Sequence, residues 1–164
     1  MKYFAYGSNM SISRLRARVP SAVTLGCHTL KEHDLRFHMS GQDGSAKCNA
    51  FYTGERDDII FGGLFEISPN EKSVLDKAEG LGHGYAEKKV TVVASDGSSL
   101  EAMTYIAIKI SEYLKPYSWY VNHVLLGAGE TKLPHDYIQK RISVIESIQD
   151  IDKERDTRER AVHS

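Results

Sequence analysis

The sequence predicts an α+β domain in which helices surround one small mixed sheet, twisted enough to close on itself. Three observations predict it. Strand-like and helix-like stretches run in the order strand, helix, several strands, helix, hairpin, helices, which neither alternates as a doubly wound parallel sheet requires nor separates into blocks. Asp96-Gly97, between two long β-patterned stretches, is the turn signal of an antiparallel hairpin. The 164 residues, 41% hydrophobic and 26% charged, suffice for one sizeable core. Residues 1–150 are expected to form that one domain, followed by a charged C-terminal tail, 151–164.

Tyr3 to Tyr6 is a short aromatic-rich strand, broken by Gly7-Ser8-Asn9. Ser11 or Ser13 caps a short helix through about Arg18, ended by Pro20. Ala22–Leu30 and Leu35–Met39 follow as strands. The stretch SGQDGSAKCN, residues 40–49, has the composition of a polar loop. Ile59 to Ile67 is strand-like, and Gly62-Gly63 suggests a bulge. In SPNEKSVLDKAEG, Ser68 stands at an N-cap position, Pro69 at the first helical position and Glu71 three residues after the cap. Val74, Leu75 and Ala78 share a face, and Gly80 stops the helix, which puts Glu79 in its last turn. GLGHG connects to the hairpin Tyr85–Ala94 and Leu100–Ile108. Ser118 to Leu126 is a helix expected to stop at Gly127. A last helix from about Pro134 carries Ile138, Ile142, Ile145 and Ile148 as one apolar stripe. The tail from Asp152 is nearly all charge and is expected to fray.

Lysines and arginines number 21 against 22 aspartates and glutamates. No basic excess points to nucleic acid. No run approaches the roughly 20 apolar residues of a membrane span. MKYFAYGSNM meets glycine after four apolar residues, so no secretory leader is expected. Cys27 and Cys48 form no CxxC pair, and two free thiols in a reducing compartment are expected over a disulfide. The location implied is cytoplasmic. His33 and His38 lack a metal-ligand spacing, so no metal is expected. GLGHG is not the dinucleotide fingerprint, no GKS or GKT follows the first turn, and no GxSxG elbow is present. No cofactor is expected.

Two places carry chemistry. A strand followed by Gly-Ser-Asn and a helix start can aim several backbone N–H groups at one spot, a geometry that binds carboxylate or phosphate. The same residues also make a plain turn and cap, and the local pattern leaves both open. Glu79, facing the negative end of its helix dipole, has its ionised form disfavoured there, which suits a general base; a solvated surface glutamate is the alternative. Trp119, Tyr120 and Leu125 are expected in the core, with the Tyr120 phenol able to reach a pocket.

Taken together, YFAYGSNM (Tyr3–Met10), LDKAEG followed by GHGY (Leu75–Tyr85) and WYVNHVLLGAGETKLPHDY (Trp119–Tyr137) resemble the gamma-glutamylcyclotransferase family in order and spacing. The resemblance implies a small β-barrel-like sheet surrounded by helices. It implies cleavage of a γ-glutamyl amide by attack of the glutamyl α-amine on its own γ-carbonyl, releasing 5-oxoproline. It implies substrate binding by Tyr3, Phe4, Ala5, Tyr6, Gly7 and Ser8, with Asn9 alongside and Tyr120 from the third motif, and Glu79 as catalytic acid and base. The partner implied is a small γ-glutamyl amide or γ-glutamyl amino acid, with no nucleic acid or membrane, and a homodimer is allowed. Lys132 stands where the family often has glycine, and the charged tail has no counterpart. The family's glutathione branch usually carries leucine at the position of Asn9, which points this chain away from it. Two other readings stay open at this level: a non-catalytic module of the same shape that binds an acidic metabolite, and an interaction scaffold.

The implied chemistry needs few parts. Nucleophile and electrophile belong to one molecule, and holding it bent can remove roughly 7–11 kcal/mol of barrier. One carboxylate between the two nitrogens can move the protons. Backbone amides or a phenol can steady the oxyanion.

Overall fold

The opening aromatic stretch forms β1 (Lys2–Ala5), one stave of a closed five-stranded barrel. The computed structural model describes residues 1–164. The other strands are β2 (Val23–Lys31), β3 (His33–Ser40), β4 (Ala46–Tyr52), β5 (Ile59–Glu66), β6 (Tyr85–Ala94) and β7 (Ser99–Ala107). The helices are α1 (Ile12–Arg16), α2 (Lys72–Glu79), α3 (Ser118–Glu130), α4 (His135–Ile138) and α5 (Lys153–Ala161). Around the barrel the order is β1-β5-β2-β6-β7. All pairs are antiparallel except the closing one, where β1 meets β7 in parallel through Tyr3 and Met103. β3 and β4 pair apart as a two-stranded sheet. The expected α+β class and barrel-like sheet are the architecture found. No helix is long and apolar enough to cross a membrane.

β1 is buried because it threads the core. Phe4 is fully enclosed and pairs with Leu64, while Ala5 pairs with Gly63. Gly62 and Gly63 make no bulge; Gly62 leaves room for β1, and Gly63 for the Phe65 ring and Thr131. A Cβ on Gly62 would lie 2.5 Å from the Ala5 carbonyl oxygen and 2.7 Å from Phe4 Cζ. The irregularity lies across the ladder in β2, between Thr24 and Cys27, where Gly26 has φ +90°.

Several element expectations change. The expected loop at 40–49 holds the start of β4, whose inward residues Ala46, Cys48 and Ala50 are small and carry little strand signal. α2 begins as a 3-10 turn, Pro69–Glu71, and the Ser68 side chain makes no cap. Glu71 instead accepts from the Ser21 amide at 3.1 Å and from its hydroxyl. Of the face expected there, only Leu75 is buried. α3 runs through Gly127 because this glycine is a contact, not a stop: a Cβ would lie 2.4 Å from the Ser11 nitrogen and 2.6 Å from the Met10 carbonyl carbon. The last isoleucine helix is short. α4 passes into a π turn, Gln139–Ser143, Ile142 is fully buried, and Ile148 bridges to Tyr117 in extended chain.

Lys132, two residues beyond α3, has φ +61°, the left-handed conformation that explains why a glycine suits this position. The tail is a helix. Asp152 caps α5 by accepting from the Arg155 amide at 3.0 Å, and α5 lies against α3. Asp150 anchors its start: it accepts from the Trp119 indole at 2.8 Å and takes a two-pronged contact from Arg155 at 2.6 and 2.7 Å.

Candidate active site

β1 delivers the chain to Gly7, where it leaves the barrel as a 3-10 turn, Ser8–Met10. Met10 N–H closes on the Gly7 carbonyl at 3.1 Å and Ser11 N–H on the Ser8 carbonyl at 3.2 Å. The Ser11 hydroxyl then accepts from the Arg14 amide and caps α1, so Ser11 is the cap of the two serines weighed. At Gly7 the missing side chain matters for space. A Cβ there would meet Cys48 Cβ at 3.0 Å and the Tyr120 phenol oxygen at 3.3 Å. This close approach packs β4 and α3 onto the turn.

Glu79 ends α2, and Gly80 with φ +67° turns the chain away behind it. Its side chain, 16% exposed, reaches across to the N-terminal turn. Oε1 accepts from Asn9 Nδ2 at 2.8 Å and lies 3.6 Å from Arg18 Nη1. The carboxylate therefore shares a small pocket, about 30 Å³, with Gly7 and Ser8. Of the nine predicted site residues, Tyr3, Tyr6, Gly7, Ser8, Asn9, Glu79 and Tyr120 border that pocket. Phe4 and Ala5 do not. Phe4 is fully buried against Gly62, and its carbonyl is occupied by the Thr104 hydroxyl at 2.8 Å. Ala5, 2% exposed, is packed at the β5 ladder. Asn9 differs from expectation too. Its amide donates to Tyr3 Oη at 3.0 Å and to Glu79, and its oxygen accepts from Arg18 at 3.0 Å, so its polar atoms are spent on holding Glu79 in place.

Sequence reasoning left out Tyr85, Tyr105 and Cys48, which line the same pocket, and Arg14 and Arg18, which line the wider cleft beside it. Tyr85 closes the GHGY stretch, and Arg14 and Arg18 lie four apart after the turn, where they share one side. Tyr105 and Cys48 give no local signal.

Burial lifts the phenols of Tyr3, Tyr85, Tyr105 and Tyr120 above the ordinary tyrosine range, so each is a neutral O–H. Their protons differ in use. Tyr85 donates to the Cys48 carbonyl at 2.6 Å and Tyr105 to Asp76 at 2.6 Å. Tyr6 donates to the Tyr105 carbonyl. Tyr120 Oη accepts from the Cys48 amide at 2.9 Å, and Tyr3 Oη accepts from Asn9. That leaves the O–H proton of Tyr3 without an internal acceptor, while that of Tyr120 meets only the Cys48 side chain. Both cysteines are free, and burial pushes the Cys48 thiol up to about 12.

The wider cleft, about 400 Å³, meets the small pocket at Ser8, Glu79, Tyr85 and Tyr120. Lys47 points into it from β4, bonded to Asp43 at 2.8 Å and Ser45 at 2.9 Å and lying 4.5 Å from the Trp119 ring centre. Thus one carboxylate stands at the junction of two compartments, tied by an amide and a guanidinium, with two phenol protons nearby. Such a set can take a proton from one nitrogen of a bound molecule, return it to another, and donate to a developing oxyanion.

The chain is similar to known proteins in sequence and in fold. The AIG2-like family matches residues 59–140. Gamma-glutamylcyclotransferase from Bos taurus is 30% identical over 151 residues, covering 88% of this chain and 78% of that protein. A solved structure of a gamma-glutamyl cyclotransferase is 26% identical with a TM-score of 0.83, over 93% of this chain and 91% of the other. A crystal structure of an uncharacterized protein from Homo sapiens is 25% identical with a TM-score of 0.86, over 99% and 98% of the two chains.

Proposed function

The chain belongs to the AIG2-like, gamma-glutamylcyclotransferase family, and on that premise we propose that it converts a γ-glutamyl amide to 5-oxoproline and a free amine, with Glu79 as proton shuttle. The observation that carries this reading is the pocket common to Glu79, Gly7 and Ser8.

The glutamyl head binds at the turn, its α-carboxylate toward the Gly7–Ser8 backbone, bent so that its α-nitrogen faces its γ-carbonyl carbon. Glu79 takes one proton from the α-ammonium. The freed amine attacks the γ-carbonyl, forming the ring C–N bond and a tetrahedral oxyanion. The unshared O–H of Tyr3, or that of Tyr120 turned from the Cys48 sulfur, donates to this oxygen. As the intermediate collapses, the bond to the leaving nitrogen breaks. The ring nitrogen gives up its second proton through Glu79, and the two protons end on the leaving nitrogen, which departs as an ammonium. No water is consumed and no bond to the protein forms. Asn9 and Arg18 keep the carboxylate at the boundary between head and leaving group, so one group can serve both nitrogens.

The test is a panel of γ-glutamyl amino acids, γ-glutamyl-lysine and glutathione incubated with purified protein, with 5-oxoproline measured. Release from at least one, abolished by Glu79→Gln, is the expected result. Tight binding with no 5-oxoproline from any of them identifies a binding module instead.

A further inference from the structure

We propose that Arg14, held from behind by Glu159 of the C-terminal helix, is the specificity-determining residue of the outer compartment, where its guanidinium, unpaired at Nη2, receives a carboxylate on the leaving half of the substrate. This rests on the cyclotransferase reading above.

Two of the other cations of the cleft are committed. Lys47 is bonded to Asp43 and Ser45 and enclosed by aromatic rings, and Arg18 is bonded to Asn9 beside Glu79. Lys77 also borders the cleft, exposed on α2 and bonded to no carboxylate. Arg14 is different. It is 9% exposed yet lines the cleft. Its Nη1 donates to Glu159 Oε2 at 2.8 Å and lies 3.2 Å from His123 Nε2. Its Nε is buried without a partner. A guanidinium fixed at Nη1, with no partner in the chain at Nη2, keeps a donor for a charge-assisted contact with a carboxylate.

What holds Arg14 comes from the far end of the chain. Glu159 contacts both Arg14 and His123, the latter at 3.1 Å, and His163 lies 2.6 Å from His123 Nδ1. His123 is wholly enclosed on α3. Glu159 also borders the cleft. The charged tail is therefore part of the site's wall, and Glu159 is a positioning residue that acts through Arg14.

The test compares γ-glutamyl-alanine with γ-glutamyl-alaninamide, which differ only in the leaving group's carboxylate. Steady-state rates are measured for the full chain and for Arg14→Lys, Arg14→Gln, Glu159→Gln and Glu159→Asp, with thermal melting of each to confirm folding. The unmodified protein should prefer the carboxylate by roughly 10–100-fold in kcat/KM, the span expected of a charge-assisted pair. Arg14→Lys, Arg14→Gln and Glu159→Gln should shrink that ratio several-fold, chiefly through a higher KM for γ-glutamyl-alanine, and Glu159→Asp should restore part of it. Equal kcat/KM for the two substrates in the unmodified protein, or variants that slow both in proportion, overturns the assignment while leaving the cyclotransferase reading intact. If Arg14→Gln does not fold, the Glu159→Gln ratio decides alone. No 5-oxoproline from either substrate defeats the reading and this inference together.

Discussion

Glu79 is held at the turn because its neighbours leave it no other place. Asn9 and Arg18 anchor it, and glycine at 80 lets α2 end under it. Asn9→Ala removes the direct anchor and should lower kcat by about tenfold or more with the fold retained, measured as 5-oxoproline release beside an unchanged circular dichroism spectrum. Glu79's position at a helix end was legible because Gly80 is a local signal. Asn9's role was not, because its partners Tyr3 and Arg18 meet it only in the folded chain. Lys132 makes a second prediction at this scale. A left-handed residue with a Cβ costs about 1–2 kcal/mol, partly offset by glycine's greater freedom in the unfolded chain. Lys132→Gly should therefore raise stability by about 0.5–1 kcal/mol, read as a higher melting temperature.

Among elements, α5 shows where sequence reading stops. It has no apolar face, and periodicity, which finds elements by the side they bury, sees only charge. Polar contacts hold it instead: Asp150 with Trp119 and Arg155, Arg160 with Ser118 at 2.7 Å, Glu159 with Arg14 and His123. These contacts make its docking sensitive to acid. Burial raises Glu159, but the His123 hydrogen bond and the Arg14 charge outweigh it and hold the carboxyl down to about 2. A depressed carboxyl stabilises above its unfolded value, about 4.3, and that contribution disappears as pH falls toward 2. His123 is lowered by burial, so the unfolded chain takes its proton first, and stability falls as pH drops below about 6.5. Both act in one direction. Stability should decline in acid, with about 1–2 kcal/mol from Glu159 after allowance for its partial exposure. Glu159→Gln should flatten the portion between pH 4.5 and 2. Trp119, the single tryptophan, reports it by fluorescence. Gly127, read as a helix stop, is a close contact between α3 and the N-terminal turn. Gly127→Ala should cost about 1–3 kcal/mol and reduce activity with it, since the turn must shift.

At the scale of the molecule, the barrel brings together parts that lie far apart in sequence. β1, in the core, carries the turn; the helix after β5 carries Glu79; β4 and α3 press Cys48 and Tyr120 onto Gly7. The class of the fold could be read from the order of elements, and the hairpin from Asp96-Gly97. Closure was expected, but the strands that make it were not legible, because the parallel meeting of β1 and β7 joins Tyr3 to Met103 across most of the chain, and no local pattern encodes it. Core and site are therefore coupled. Phe4→Ala should cost about 3–5 kcal/mol in urea unfolding, and activity should disappear in the same concentration range as the fold. The central claim is that one carboxylate, brought by this topology to the turn after β1, moves protons between the two nitrogens of a γ-glutamyl amide. The most direct measurement sets the rate of 5-oxoproline release from γ-glutamyl-alanine by Glu79→Gln against its affinity for the same molecule. The account predicts turnover lower by about 10²-fold or more, the usual scale of acid–base catalysis, with affinity within a few-fold. Turnover within a few-fold of the unmodified protein contradicts it.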